Sequence, residues 1–288
     1  MTSRIFRAVA HCVVGLAAAG ALVGEVRAEQ VPLWEAGAGA GLLSLPDYRG
    51  SDESRIYALP FPYFIYRGAF FKADREGVRA EFLDSDRIKL EMAVNASQPV
   101  RSSNNRARDG MPDLNGSFEV GPSVSINLLR SDDRRQRLDL RLPVSTGVTL
   151  GSGFKGIGWQ AAPRVNLDIA DVASDWTGAR GWNLGLAAGP IFQSRRRNAY
   201  FYDVPSDYAR PDRPAYRSSG GYAGTQLLAA LSKRYARVWV GGFVRVDSLK
   251  GASFDDSPLV RRRSAVAAGL GAAYVFGQSG EMVEGPLQ

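Results

Sequence analysis

The chain has 288 residues, a formal charge of +7, and one histidine and one cysteine, His11 and Cys12. Both lie in the first 28 residues, where Arg4 and Arg7 precede an apolar stretch from Val13 to Val23 and a small-residue ending at Val26-Arg27-Ala28. That pattern predicts a secretory leader over 1–28, cleaved after Ala28; its apolar part is shorter than the ~20 residues of a membrane-spanning helix. Cleavage would leave a mature chain with no thiol and no imidazole. That inventory excludes Ser-His-Asp and Cys-His hydrolases, histidine acid-base catalysis, Cys/His zinc sites and disulfides, so the expectation is a protein that is not an enzyme and has no cofactor.

No later run approaches a membrane-spanning helix, and the mean hydropathy is slightly negative. Alternation of period two, the mark of a strand, recurs along the chain. The first strand is expected over 34–43, where Trp34 leads a Gly/Ala alternation. The second, over 56–66, contains Pro60 and Pro62, which remove two ladder donors and predict an irregular or bulged strand. Two short strands follow at 69–74 and 78–83. Over 86–95, Ile88, Leu90, Met92 and Val94 oppose Arg87, Lys89, Glu91 and Asn95.

In 116–129 the apolar face is Phe118, Val120, Val124, Ile126 and Leu128, set against Glu119, Ser123, Ser125 and Asn127. The cleanest dyad is 137–150, with Leu138, Leu140, Leu142, Val144, Val148 and Leu150 opposing Arg137, Asp139, Arg141 and Ser145. Strand 156–169 sets Trp159, Val165, Leu167 and Ile169 against Gln160, Arg164, Asn166 and Asp168. Further strands are expected at 181–193, 221–232 and 236–248. The last, 263–276, carries Val266, Leu270, Tyr274 and Phe276 on one face and little but Gly and Ala on the other.

Charges at alternate positions of apolar strands would be faults in a sandwich core, whereas a wet lumen accommodates them. An open sheet edge is costly in hydrocarbon, so the strands must close on one another. The fold class is therefore all-β: a transmembrane antiparallel up-and-down barrel of about 10–12 strands. The expected domains are a cleaved leader 1–28, an outer-membrane barrel 29–276 and a short tail 277–288. Connections alternate between short turns, such as Ser131-Gln136, and longer segments, including 44–55, 96–115, 194–220 and 249–262. By the rule for bacterial barrels, the long ones face outward and both termini face the periplasm. Trp34, Tyr57, Tyr66, Trp182, Tyr222, Tyr235, Tyr274 and Phe276 gather at strand ends as expected of interfacial girdles.

Several loops carry recognisable signatures. Leu45-Pro46-Asp47-Tyr48-Arg49-Gly50-Ser51 is a turn in which Gly50 is free to adopt positive φ. It is followed by Pro60, Tyr63 and Tyr66, then Tyr200-Phe201-Tyr202-Asp203-Val204, Tyr216, Gly220-Gly221-Tyr222, Leu249, Gly251, Ser257-Pro258-Leu259-Val260, Tyr274 and Phe276. In this order they resemble the MipA/OmpV family, the MltA-interacting outer-membrane proteins of Gram-negative cell envelopes. The resemblance covers nearly the whole mature chain. It departs at Gly277 to Gln288, beyond the point where the barrel is expected to end.

The resemblance implies a scaffold that binds peptidoglycan enzymes, a murein lytic transglycosylase and a penicillin-binding synthase. Partner contacts are then expected in the periplasmic turns, with Arg134, Arg135 and Arg137 as candidates. The runs Arg195, Arg196, Arg197 and Arg261, Arg262, Arg263 at the outer rim suit lipopolysaccharide phosphates, because guanidinium groups bind phosphate bidentately. The alternative is a small-solute channel through a charged lumen. Nucleic acid is not an expected partner, since no aromatic-basic binding motif is present. A calcium site from Asp47, Asp52, Asp255 and Asp256 is a further alternative, since their loops can meet where the first and last strands pair, although the spacing is not that of a known calcium loop.

Overall fold

The computed structural model describes residues 30–284 other than 69, 75–76, 86, 134, 152 and 173–180. The expected leader 1–28, Arg134 and the last four residues of the tail lie outside this set. The wall is a run of antiparallel strands: β2 (Trp34–Pro46), β3 (Ser54–Arg67), β4 (Phe71–Asp74), β5 (Gly77–Asp84), β6 (Ile88–Ser97), β7 (Ser117–Arg130) and β8 (Gln136–Thr149). It continues through β9 (Gly156–Ala161), β10 (Arg164–Ile169), β11 (Trp182–Gln193), β12 (Gly221–Arg234), β13 (Val238–Ser248) and β14 (Ser264–Gln278). β9 and β10 both pair with β8 and β11, with Ala162-Pro163 between them, so they occupy one wall position. The barrel closes with 12 strands.

The last strand meets the first, as its sequence requires: β14 pairs with β2 from Ala268↔Ser44 to Gln278↔Glu35. The sheet therefore has no free first or last strand. The wall continues two residues beyond Phe276, across an irregularity between Val275 and Gly277. The tail then folds back. Met282–Glu284 (β15) pairs with Gln30–Pro32 (β1) in a separate two-stranded ribbon at the end that bears the short turns.

Side chains alternate between lipid and lumen. Leu142, Val144, Phe118, Val120, Val246, Val266 and Leu270 are exposed on the outside, where hydrocarbon replaces water and adds no penalty for apolar surface. Inside, the lumen divides in two. Over β13, β14, β2 and β3 it is apolar, with Tyr63, Ala273 and Val275 buried together and packed by Phe61, Ile65 and Trp239. The Gly/Ala face is what admits these rings. A methyl group on Gly39 would lie 2.6 Å from the Phe61 ring, and one on Gly241 would lie 2.4 Å from Trp239. Tyr57, assigned to a girdle by the sequence, pairs with Leu43 on this lumen face.

The other half is charged. Arg137 Nε lies 2.7 Å from Asp139, Lys72 2.6 Å from Glu81, and Arg79 3.4 Å from Glu91. At the end that bears the short turns Glu35 takes both Arg67 and Arg234, at 2.8 and 2.9 Å. A cavity of about 120 Å³ between Arg79, Glu91, Glu119, Arg141, Gln160 and Arg164 remains in this half, room for several waters.

Candidate functional site: a loop cap on the outer mouth

Four long loops fold over one end of the barrel and share a hydrophobic core. Tyr48, Leu114, Ile191, Tyr202, Ala223, Leu249, Ala252 and Phe254 are buried together, with Phe254 and Leu249 fully inaccessible. The organising segment is the turn 46–51. Gly50 has φ of +97°, the left-handed conformation expected of it, and its carbonyl accepts from the Arg261 and Arg262 amides at 2.8 and 3.0 Å. Each neighbour grips another loop. Tyr48 Oη donates to the Leu259 carbonyl at 2.8 Å, and Arg49 donates to Asp247 at 3.0 Å and to the Ala223 carbonyl at 2.9 Å. Asp47 accepts from Arg55 and Asn105, both at 2.8 Å.

The loop between β11 and β12 begins with a helix the sequence reading did not find, α1 (Arg195–Tyr202), capped by the Ser194 hydroxyl, which accepts from the Arg197 amide. Its last residue is the centre of the cap. The Tyr202 ring stacks on Phe254 at 3.8 Å and 10°, meets Tyr48 edge-on, and its hydroxyl donates to the Arg49 carbonyl at 2.8 Å. Ser257 donates to the Tyr202 carbonyl at 2.8 Å. Asp203 accepts from the amide and hydroxyl of Ser218, and Arg213 holds the carbonyls of Ala107, Asp109 and Tyr208. Burial raises the Tyr48 phenol and pushes Tyr202 up to about 12. It lowers the pKa of Arg108, whose guanidinium lies 6.0 Å from the Tyr48 ring centre and donates to the Phe201 carbonyl.

These contacts join the signatures singled out in the sequence. The turn at 46–51, Tyr200 to Val204, and Ser257 to Val260 are distant in the chain and adjacent in space. Sequence reading recognised each as a motif and allowed the loops of Asp47 and Asp255 to meet where the first and last strands pair, but missed Tyr202 packed against both; the clue was that all three fall in outer loops. The carboxylates weighed as a cation site are otherwise engaged, Asp47 with Arg55 and Asn105, and Asp256 with the Tyr216 hydroxyl. Among the described residues no group of three or more metal-binding side chains is assembled.

The structure separates the arginine candidates. Arg195, Arg196, Arg261, Arg262 and Arg263 are exposed, and Arg195 and Arg263 lie 3.4 and 3.6 Å from Asp203 and Asp255. Arg197 differs, because its side chain is buried and turned inward onto Glu119, a lumen residue of β7. It is thus part of the stopper and closed to lipopolysaccharide. In the turn between β7 and β8, Arg135 is half-buried, 3.5 Å from Asp171. The hydroxyl of Ser131 and the amide of Arg135 donate to Asp133 and hold its carboxyl below the usual range. Arg137 points into the lumen, between Asp139 and Asp168, which removes it from the periplasmic surface.

Residues 38–276 match the family described as MltA-interacting protein MipA. The chain belongs to that family. It is an outer-membrane β-barrel protein. No curated protein matches significantly. Solved barrels are similar at low identity. A bacterial polysaccharide outer membrane secretin gives a TM-score of 0.42 at 8% identity, covering 84% of this chain and 99% of that one. The NanC porin gives 0.36 at 8%, covering 83% and 98%, and the OmpT outer membrane protein of Vibrio cholerae gives 0.36 at 9%, covering 90% and 100%.

Proposed function

We propose that this MipA-family barrel is a non-catalytic scaffold that binds murein-remodelling enzymes, a lytic transglycosylase and a penicillin-binding synthase, at its periplasmic end. The observation that carries the reading is the cap. At the outer end the polar groups of the motif residues are consumed by one another, so the motifs build a stopper in place of an exposed recognition surface. The opposite end faces the compartment where murein enzymes work. It offers the turn 131–135 and the ribbon of β1 and β15. The family description, which names an interaction with MltA, supports the same partner class.

The test is capture of a purified lytic transglycosylase by the barrel in detergent. Charge reversal at Arg134 and Arg135 should slow association on the order of tenfold at low salt, while removal of residues 195–219 should leave capture unchanged. Loss of capture on removing the outer loop, with the turn variant unaffected, would reject the scaffold. The exposed rim arginines, Arg195, Arg196 and Arg261 to Arg263, serve as lipopolysaccharide contacts in this reading, with Arg197 excluded by its burial. A small-solute channel is the second reading, favoured by the charged cavity in the lumen. It requires conductance through the capped barrel in a planar bilayer.

A further inference from the structure

The wall is uneven beside β3. This strand has 14 residues, yet β4 has 4 and pairs with it only at Tyr66↔Ala73 and Arg67↔Lys72. β5 begins again at Gly77 and has 8 residues, and β6 has 10. Among the described residues, β3 from Ser54 to Ile65 has no strand partner on that side, although β2 pairs with it along its full length. The next contact is at the top, where the Arg55 guanidinium donates to the Asn104 carbonyl and Arg106 meets Glu53. Between that bridge and the short hairpin lies a window at the middle of β3.

Two features show that the window is built in. The Arg67 amide donates to Leu33 on the β2 side, and the β2–β3 register runs without a shift, so odd-numbered amides of β3 point to β2 and even-numbered ones to the open side. Pro60 and Pro62 are both even. Proline thus deletes donors that would have no ladder partner in hydrocarbon, the placement edge strands favour. Burial tells the same story. Ala58, Leu59 and Pro60 are exposed in succession, breaking the alternation that runs from Ser54 to Ala58 in the same strand, and lumen-facing Leu59 is 42% accessible.

We propose that the barrel is open laterally between β3 and β6, and that the opening admits an acyl chain of the surrounding membrane to Tyr57, Leu59 and Phe61 in the apolar half of the lumen. Water does not fill an apolar gap at membrane depth, and the two prolines weaken the edge as a template for an added protein strand. Hydrocarbon is the occupant that matches both the lining and the surroundings. The lumen therefore communicates with the membrane at its side while the cap closes its outer mouth.

Apart from Cys12, which lies in the leader expected to be cleaved, the chain has no cysteine, so introduced thiols can be labelled selectively. Leu59→Cys, Ala58→Cys on the lipid face and Ser145→Cys in the charged lumen are each labelled with bimane, and the barrels are placed in vesicles containing brominated-chain phosphatidylcholine. The expected result is quenching at 59 comparable to that at 58 and several-fold greater than at 145. Iodide should quench 145 in preference to 59. Quenching of 59 by iodide alone would mean a closed wall facing water, and protection from both quenchers would mean a protein cover; either overturns the proposal. Unboiled gel mobility of each labelled barrel separates these outcomes from misfolding. None depends on partner capture.

Discussion

Tyr202 concentrates the energetics of the cap on one side chain. It stacks on Phe254, closes on Tyr48 and holds the Arg49 carbonyl. Tyr202→Ala should destabilise the cap by about 3–5 kcal/mol, the range for deleting a buried aromatic. Proteolysis within 194–220 should accelerate while the wall stays resistant. Its phenol also sets an alkaline limit. Burial favours the neutral form and raises the pKa from 10.0 to about 12, so the folded cap holds this proton more tightly than the open one does. The contribution is fully present below pH 10 and is lost as pH rises through about 12. Protease sensitivity measured across that window should rise in the native protein. Tyr202→Phe should weaken that rise, at a cost of about 1 kcal/mol for the hydrogen bond. Arg197 makes a related prediction, because Glu119→Gln leaves a buried guanidinium without its carboxylate. The cost should be about 3–5 kcal/mol, read as the same local loss of protection.

Among elements, the strands were legible because lipid and lumen impose opposite chemistries on alternate positions. In β8, Leu142 is exposed to lipid and Ser145 lies in the lumen, 3.3 Å from Glu119. Leu142→Arg should cost roughly 2–4 kcal/mol in urea-dependent folding into vesicles. Ser145→Arg, close to a carboxylate and to water, should cost much less. The helix α1 escaped detection since Arg195-Arg196-Arg197 gives it no apolar stripe; its capping by Ser194 is a local signal that alone is weak. Pro60 and Pro62 predict an irregular or bulged β3; the β2 register passes them without a shift, and the irregularity lies on the side of β4, which pairs with β3 only at Tyr66 and Arg67. The prolines answer to the missing neighbour on the other side, and a single sequence does not reveal how far an adjacent hairpin will reach. The cap was illegible for a similar reason. Its bonds join Tyr48 to Leu259 and Arg49 to Asp247, partners brought together only by closure of the barrel.

At the scale of the whole molecule, closure and capping are separable. The barrel should migrate faster on gels before boiling than after, as a sheet joined end to end by the β14–β2 pairing resists detergent. Deleting residues 195–219 removes α1 and Tyr202 without touching a wall strand, so that mobility shift should persist. Conductance should then rise above that of the intact protein in planar bilayers, because Arg197 no longer stands on Glu119. An unchanged conductance would place the restriction in the aromatic and ion-paired lumen below. The ribbon of β1 and β15 has another consequence. Gln30 pairs with Glu284, so the two ends of the described chain lie side by side, and the wall has a cyclic order with no privileged first strand. A circularly permuted gene, with 284 joined to 30 by a short linker and new ends opened in the turn 235–237, keeps every strand neighbour and every loop of the cap.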